Sequence, residues 1–528
     1  MFNTLKKAIA VATATVMLAS VFTACSKTET KDSGKTNTSV QGQSDQKQKV
    51  KFYYVTQDRK ANAPGDDEVK QFINQKFNVD YQRVDIAPDQ YREKMSVILA
   101  SGENMDCLNS PLTGSEPYSL PNLLVNKTIQ ALDTHLNKVG KNLQKEVPQD
   151  VWEFAKGDDG KIYGIPEMGF KQKVFLFVRQ DWMDKLKLQA PKTIEEFEKM
   201  LIAFRDGDLD GNGKADTYPL IGYIYDGYNN YIHRGLAGSF IPTGIDWFED
   251  KDGNLLPHYL HPNYKQYMTT MQKWYKEKLI HPDMLIMKQD QCKTALAKGA
   301  SGVHSTWYTT SYDVDVLKAD SNAKWTWIPY PVGPSGTSGA GADGIARSAF
   351  VISSSTKPEV AERVVEIVDW LQTPEGTLFN WYGIEGKHWV KDGDNIKLPE
   401  GIEAANQPYK GQLYINGGNS WKYYKFNSNV ANQMRYKTLS VAVKDGYQSV
   451  QGADYMLPFD WNNTKSKDVM TDLDLKMPAD MYAKVITGAK PVEWIDEWVK
   501  EWKSKGGDTY IKEKTEQYKK LKSKYGKK

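Results

Sequence analysis

The body of the chain begins with short apolar runs that alternate with amphipathic segments. Residues 50–55 and 79–86 have the pattern of buried strands, and residues 66–77 between them have a polar helical pattern. A second helical pattern covers residues 88–102, and a third short apolar run follows at residues 105–108. Strands that alternate with helices predict a mostly parallel sheet with helices on both faces.

In such a sheet, ligands bind at the carboxyl ends of the strands. The loops that follow two of the predicted strands, residues 56–59 and 109–113, are therefore the first candidates for a binding face.

Similar patterns continue in the later part of the chain. The segments interpreted as strands are residues 160–166, which Pro166 ends, residues 174–178 and residues 349–353. Thr193 and Glu196 have the spacing of a capping box at a helix start. The glycine-rich residues 333–344 predict a mobile crossover, and residues 358–371 predict a long amphipathic helix.

The N-terminus has the pattern of an export signal. Lys6 and Lys7 precede an uncharged run over residues 8–24, which ends at Cys25. Residues 22–25 resemble the lipobox of bacterial lipoproteins, although phenylalanine replaces the usual leucine. The resemblance implies that residues 1–24 are a lipoprotein signal peptide and that Cys25 is diacylated, which provides two hydrophobic anchors. An uncleaved membrane anchor and an ordinary secretory signal are the alternatives.

Composition separates this N-terminal part from the body. Residues 25–49 contain almost only polar side chains after the cysteine, so they bury too little apolar surface to fold and are interpreted as a flexible tether. The whole chain has 69 Lys and Arg against 66 Asp and Glu, and the only charges in residues 1–24 are two lysines. This near-neutral balance argues against nucleic-acid binding.

Several motifs in the body resemble the carbohydrate-binding lipoproteins of ABC importers, which include maltose- and alginate-oligosaccharide-binding proteins. The motifs are Leu99-Ala100-Ser101-Gly102, Tyr163-Gly164-Ile165-Pro166, the segment from Arg179 to Leu186, and the segment from Gly383 to His388. Their order and spacing cover most of the body, which makes coincidence an unsatisfactory explanation.

This resemblance implies an α/β fold of two lobes, the type II periplasmic-binding-protein-like fold, with a hinge between the lobes. By this likeness the first lobe takes residues 50–170 and 335–400, and the second takes residues 171–334 and 401–528. The implied protein is a monomer on the extracellular face of the cell membrane. It would capture an oligosaccharide in the cleft between the lobes and deliver it to ABC permease subunits.

An aspartate-rich loop predicts a structural calcium site. The candidate ligands are Asp208, Asp210, Asn212, Lys214 through its carbonyl, Asp216 and Thr217. Oxygen ligands at alternate positions, with glycine at the sixth, resemble the start of an EF-hand loop. Pro219 stands where that loop has its bidentate glutamate. In alginate-binding relatives an acid occupies the position of Thr217. A metal-free turn is the alternative, and in either case the loop would stabilise a lobe.

The chain is rich in aromatic residues, with 15 Trp and 30 Tyr, and sugar rings stack on aromatic planes. The candidates for ligand contact are Tyr228, Trp247, Trp307, Tyr308, Trp381, Trp421 and Trp461. Trp307, Trp381 and Trp461 are the preferred stacking residues. Trp182, Trp274 and Trp370 lie in helical patterns and are assigned to packing.

The binding-protein hypothesis has two alternatives: a surface-anchored polysaccharide-degrading enzyme, and a binder of peptides or other solutes. G-x-S-x-G, H-E-x-x-H and P-loop motifs are absent, so we expect no enzyme of those classes. His258 and His261 have no supporting ligand set and are interpreted as structural. Cys107 and Cys292 could form a disulfide, although nothing in their spacing requires it.

Overall fold

The structure is a computed structural model that describes most of the body of the chain. The described residues are 48–57, 66–87, 90–113, 116–168, 174–209, 211, 213–214, 217–226, 229–307, 322–342, 346–393, 395–397, 399–400, 449–455, 457–459, 461 and 464–525. The predicted signal peptide, Cys25 and nearly all of the predicted tether lie outside them.

The strands of the described residues fall into two main sheets and several two-stranded pairs. They are β1 Val50–Gln57, β2 Val79–Ile86, β3 Cys107–Pro111, β4 Ile165–Met168, β5 Val174–Arg179, β6 Leu220–Ile221, β7 Ile224–Asp226, β8 Asn229–Asn230, β9 Phe248–Glu249, β10 Leu255–Leu256, β11 Val303–Trp307, β12 Trp325–Ile328, β13 Ala340–Gly341, β14 Ala346–Ile352, β15 Val390–Asp392, β16 Asn395–Lys397 and β17 Ser449–Val450.

Helices surround these sheets. They are α1 Asp66–Phe77, α2 Tyr91–Ser101, α3 Leu120–Val125, α4 Asp133–Val139, α5 Lys141–Glu146, α6 Gln149–Trp152, α7 Gln180–Lys185, α8 Ile194–Asp206, α9 Tyr231–Leu236, α10 Tyr264–Lys276, α11 Gln289–Ala297, α12 Pro358–Trp370, α13 Pro374–Tyr382, α14 Met477–Ile486, α15 Ile495–Trp502 and α16 Asp508–Tyr525. None of the helices within the described ranges is long and apolar enough to cross a membrane.

Local signals fix several helix ends as predicted. Helix α2 stops at Gly102, whose φ of 69° is left-handed and whose amide donates to Ile98 O at 2.7 Å. At the start of α8, Oγ1 of Thr193 accepts from the amide of Glu196 at 3.2 Å. The Glu196 carboxylate reaches back to the amide of Lys192 at 2.7 Å. The predicted cap is therefore present, with its return bond one residue earlier than in the standard capping box.

The first sheet has the order β2-β1-β3-β14-β4. β1 runs parallel to β2 and β3, whereas β14 runs antiparallel to both β3 and β4. The mostly parallel sheet predicted for this part of the chain is thus confirmed except for one reversed strand. The reversed strand, β14, follows all the strands of the second sheet in the sequence.

The strand predicted over residues 160–166 is confirmed only at its end. It leaves a turn at Gly160, whose φ is 77°, and Ile162 forms only an isolated antiparallel bridge with Lys156. The strand, β4, begins at Ile165 and includes Pro166. Proline lacks an amide hydrogen but is tolerated here because β4 is at the end of its sheet, where one side of the strand needs no partner.

The second sheet has the order β12-β5-β11-β6. β5 is antiparallel to both β11 and β12, and only the β11–β6 pair is parallel. All six residues of β5 are buried, which explains its continuous apolar run. The parallel arrangement predicted from the first strands therefore does not extend to this sheet.

Each main sheet has its own hydrophobic core. The first core includes Phe52 and Val351, and the second includes Phe175, Trp182 and Trp274. Trp182 and Trp274 are fully buried, which confirms their assignment to packing. Burying a large apolar side chain stabilises a fold by roughly 1.5–3 kcal/mol, so these two cores account for most of the cohesion of the body.

The two cysteines of the body lie in different cores. Cys107 belongs to the first core and Cys292 to the second, and both are free and buried. They therefore do not form the disulfide that the sequence left open. His258 is also buried in the second lobe, which supports a structural role, and burial lowers its pKa to about 3.

The chain passes between the cores beside the β4–β14 pair. Ile165 belongs to the first core and Val174 to the second, while Ala340 belongs to the second and Ala346 to the first. Because Met168 pairs with Ala346, the two crossovers leave the first sheet side by side.

Hydrogen bonds hold the start of the second crossover, contrary to the prediction of a mobile segment over residues 333–344. Oγ1 of Thr337 donates to Gly238 O at 2.7 Å, and Oγ of Ser335 donates to Ser239 O at 2.9 Å. A Cβ on Gly333 would lie 1.9 Å from Ser239 O. The glycine there permits close backbone packing, so residues 333–342 are anchored to the second lobe.

Candidate ligand site at the crossover

The structure describes some of the aromatic residues predicted to contact a ligand. Tyr228, Tyr308 and Trp421 lie outside the described residues. Trp307 is the last residue of β11, where it pairs with Val174, and Trp381 lies in α13. The roles of these five residues stay predictions.

Trp247 does not have the exposed position that a stacking residue needs. Its side chain is 8% exposed and belongs to the second core. The ammonium group of Lys514 lies 3.8 Å from its ring centroid, and the edge of Tyr510 packs against it at 5.1 Å. The predicted ligand contact at Trp247 is therefore corrected to a packing role, because other side chains already cover the ring.

Trp461 is half-buried and remains a candidate platform. Its ring is nearly parallel to that of Phe459, with 6.0 Å between centroids, and it lies 5.1 Å from Tyr510. These contacts hold the indole in one orientation, which reduces the entropy lost when a ligand stacks on it.

A cluster of charged residues that sequence reasoning missed lies beside the second crossover. Arg234 donates to Gly341 O at 3.4 Å, and Nζ of Lys514 donates to Oδ2 of Asp454 at 2.8 Å. A Cβ on Gly341 would lie 3.2 Å from Oδ2 of Asp246. The crossover strand β13 therefore passes directly beside the Asp246 carboxylate. We call Arg234, Asp246, Asp454 and Lys514 the charged recess.

The surroundings of Asp246 shift its pKa strongly. Its side chain is crowded by protein but keeps some contact with solvent. Burial, and then the neighbouring Asp454 carboxylate, raise the pKa of Asp246 to about 7, although Arg234 and Lys514 oppose the shift. A polar group from a ligand that donates to this carboxylate would replace the missing solvation.

The charged recess was not visible in the sequence because its members come from four separate segments. Arg234 lies in α9, Asp246 precedes β9, Asp454 follows β17 and Lys514 lies in α16. No local spacing connects them. The only local signal was the pair of Asp246 with Trp247, a charged residue beside an aromatic one.

The first lobe has polar groups towards the carboxyl edge of its sheet. The side-chain amide of Asn109, in β3, donates to the hydroxyl of Tyr54 at 3.0 Å. Ser348, near the start of β14, donates to Glu167 in β4. Five peptide bonds separate Gly341 from Ala346, so the Cα atom of Gly341 lies within about 18 Å of the start of β14.

The predicted calcium loop is described in part. Asp210, Asn212 and Asp216 lie outside the described residues. Gly211 and Gly213 have left-handed φ values of 75° and 79°, and the Gly213 amide donates to Oδ2 of Asp208 at 3.1 Å. Thr217 is 3% exposed, and no described group hydrogen-bonds to its Oγ1. A buried oxygen without a partner fits a ligand for a hard cation.

The carbonyl of Asp208 already accepts from Nζ of Lys185 at 2.8 Å. Across the ranges that the structure describes, there is no group of three or more His, Cys, Asp or Glu residues that could hold a metal by themselves.

Comparison with known families identifies the class of protein. The model of the bacterial extracellular solute-binding protein family matches residues 55–378, which is more than half of the chain. The chain belongs to this family. The match spans both main sheets and both crossovers, whereas Asp454, Trp461 and Lys514 of the candidate site lie beyond it.

Curated relatives cover most of the chain at low identity. The chain is 24% identical over 402 residues to the polygalacturonan/rhamnogalacturonan-binding protein YtcQ of Bacillus subtilis, covering 74% of each chain. It is 24% identical over 527 residues to the fructooligosaccharide ABC transporter substrate-binding protein FusA of Streptococcus pneumoniae, covering 90% of each. Lipoprotein LipO of Bacillus subtilis is 23% identical over 464 residues, covering 83% of this chain and 86% of LipO.

Solved structures support the two-lobe α/β fold of type II. An extracellular solute-binding protein from Bifidobacterium longum subsp. infantis has a TM-score of 0.69 at 16% identity, covering 89% of this chain and 98% of its own. Streptococcus pneumoniae FusA in complex with kestose has a TM-score of 0.62 at 21% identity, covering 90% and 100%. The predicted fold class and family are confirmed.

The ion pair of Lys514 gives a testable prediction of stability. We expect Lys514→Met to lower the free energy of unfolding by about 3 kcal/mol, because it leaves the half-buried Asp454 carboxylate without its cation. Urea denaturation measures the change.

Lys522→Met, in the same helix, is the matched control. Lys522 pairs with Glu249 at the surface, so the same substitution should cost less than about 1 kcal/mol. Equal costs for the two variants would contradict the assignment of Lys514 to a buried ion pair.

Proposed function

We propose that this protein captures an oligosaccharide in the cleft between its two lobes and delivers it to the permease subunits of an ABC importer. The observation that carries this proposal is the charged recess beside the second crossover, with the half-buried ring of Trp461 in the same lobe. Family membership supports solute binding, and the chemistry of this recess supports a sugar as the solute.

The recess has the two kinds of group that sugar recognition requires. Sugar hydroxyls need hydrogen-bonding partners, which Asp246, Asp454 and Arg234 supply. The apolar C–H faces of sugar rings need flat aromatic surfaces, and the ring of Trp461 is held in place by Phe459. Trp307, Trp381, Tyr228, Tyr308 and Trp421 remain proposed contacts.

The two cores support the proposed lobe boundaries. The first-core residues lie between positions 52 and 165 and between 346 and 379. The second-core residues lie between positions 174 and 340 and between 459 and 518. We therefore propose residues 50–170 and 346–400 for the first lobe, and residues 171–342 and 401–528 for the second. This moves the anchored residues 335–342 from the first lobe of the sequence-based prediction to the second.

Sugars are also what several relatives bind. YtcQ is named for polygalacturonan and rhamnogalacturonan, and FusA for fructooligosaccharides. The family consists of binding proteins, so we propose that the ligand leaves chemically unchanged. The alternative from the sequence, a polysaccharide-degrading enzyme, would instead shorten the sugar.

Titration with oligosaccharides tests the function. We expect at least one member of a panel of plant and bacterial oligosaccharides to change the tryptophan fluorescence saturably, because Trp461 and other tryptophans lie near the proposed cleft. Chromatography of the same samples should recover the sugar intact. Shortened products would favour the enzyme, and no response in fluorescence or calorimetry across the panel would contradict oligosaccharide binding.

We also propose that the loop from Asp208 to Thr217 binds one structural calcium ion. Two observations support this proposal: Oγ1 of Thr217 is buried and has no hydrogen-bond partner within the described residues, and two glycines of the loop are left-handed. A similar structure of FusA is described as an EF-hand mutant, at 20% identity and a TM-score of 0.63. Calcium there would join the loop to α8 and stabilise the second lobe.

Removing calcium tests this site. We expect a chelator to lower the melting temperature by about 3 °C, because an ion that binds only the folded state stabilises it. Asp208→Asn should abolish the difference between calcium and chelator. Asp206→Asn, an exposed change two residues earlier, should preserve it. A wild-type melting temperature that is insensitive to both calcium and chelator would contradict the site.

Finally, we propose that the mature protein is a monomer attached to the extracellular face of the membrane by lipid on Cys25. The match to an extracellular family and the likeness to a lipoprotein of Bacillus subtilis support this location. Two acyl chains provide stable attachment, whereas one chain gives only reversible binding.

The lipid anchor is tested by Cys25→Ser. We expect this variant to move from the membrane fraction of a Gram-positive host to the medium or the soluble fraction, because it loses the acylated thiol. Mass spectrometry of the wild-type N-terminal peptide should show a diacylglycerol on Cys25. A variant that remains fully membrane-bound would indicate another anchor.

A further inference from the structure

We propose that the oligosaccharide bound beside the second crossover is neutral rather than acidic, and that Asp246 accepts hydrogen bonds from its hydroxyl groups. This inference rests on the oligosaccharide-binding function proposed above. The charge of the recess distinguishes two classes of ligand, neutral sugars and uronate-containing sugars.

The carboxylate of Asp246 is placed beside the route of the chain between the lobes. The main chain packs closely against this side chain at two glycines: a Cβ on Gly341 would lie 3.2 Å from Oδ2, and a Cβ on Gly452 would lie 2.5 Å from Cβ of Asp246. The amide of Gly452 donates to the carboxylate from one side. The remaining acceptor capacity of Asp246 suits donors such as sugar hydroxyls.

Both cations of the recess are already engaged by the protein. Lys514 contacts Asp454 at 2.8 Å and lies over the ring of Trp247, and Arg234 donates to the carbonyl of Gly341. Asp474 adds another carboxylate close by, which accepts from the hydroxyl of Tyr510 at 2.5 Å. With Asp474 included, three carboxylates therefore lie in or beside the charged recess against two cations. A uronate would add a fourth negative charge beside Asp246.

The protonation state of Asp246 gives a second way to detect hydrogen bonds from sugar hydroxyls to its carboxylate. Its pKa is raised to about 7 by burial and by Asp454, while Arg234 from α9 and Lys514 from α16 act in the opposite direction. Hydroxyl donors favour the ionised carboxylate, so a neutral sugar would lower this pKa on binding. Affinity should therefore be highest above pH 7 and fall below it, by at most about tenfold per pH unit.

The selectivity of the wild-type protein is the first test, since it requires no substitution. Isothermal titration of the full mature chain at pH 8 would compare neutral trisaccharides (kestose, maltotriose and raffinose) with trigalacturonate. We expect at least one neutral sugar to bind at least about tenfold more tightly than trigalacturonate. Tighter binding of trigalacturonate would overturn the inference but leave oligosaccharide binding intact. Failure of all of these sugars and of the wider panel would overturn both.

The role of Asp246 is tested by the pH profile and by a matched pair of variants. Wild-type affinity for the bound neutral sugar should fall several-fold between pH 8 and pH 6. Asp246→Asn should weaken binding at pH 8 by about tenfold or more and flatten the profile, because it removes the charged acceptor. Asp496→Asn, an exposed change in the same lobe, should change neither.

A flat wild-type profile, or wild-type affinity and pH dependence in Asp246→Asn, would contradict the role of Asp246. If Asp246→Asn does not fold, which thermal unfolding would reveal, the wild-type profile and the comparison with trigalacturonate still decide the inference.

Discussion

The pairing of β4 with β14 is the interaction on which the arrangement of the body depends. Ile165 pairs with Phe350 and Met168 with Ala346, so the two crossovers leave the first sheet as neighbours. If these strands were in separate parts of the sheet, the chain would pass between the cores at two distant points. Their pairing places both crossovers at the carboxyl edge of the first sheet, where α/β proteins bind ligands.

The second lobe holds its end of the crossover through close backbone packing and hydrogen bonds. Gly238 and Gly333 allow the backbones to approach, and Thr337 and Ser335 bridge them. The charged recess is built on this anchored segment, because Arg234 contacts the Gly341 carbonyl. A ligand that binds Asp246 therefore contacts the same structure that connects the lobes, which gives binding a physical route to bias lobe closure.

Local signals predicted local structure well. The alternation of apolar runs and helical patterns located β1, α1 and β2, and the cap at Thr193 was visible in four consecutive residues. The family and the fold class followed from motifs of this length. Features set by distant partners were missed: the reversal of β14, the edge position that admits Pro166, and the antiparallel second sheet.

The candidate site shows the same division. Tryptophan content indicated sugar binding, but it did not show that Lys514 and Tyr510, more than 250 residues later in the chain, cover the ring of Trp247. Asp246 and Arg234 carried no local motif, and their importance appears only where the fold brings them beside Gly341. For the proposed calcium loop, sequence spacing suggested the candidate ligands, and the described residues add a buried Thr217 oxygen to which none of them hydrogen-bonds.

The central claim, that two lobes close on an oligosaccharide, is tested most directly by a distance between them. Val97 in the first lobe and Ile286 in the second are 67% and 77% exposed, whereas Cys107 and Cys292 are buried. In a chain with Cys25→Ser, spin labels on Val97→Cys and Ile286→Cys would therefore report the separation of the lobes by pulsed electron paramagnetic resonance. We predict that a saturating sugar moves the label-to-label distances to a second, narrower distribution. An unchanged distribution while the sugar is bound would contradict closure.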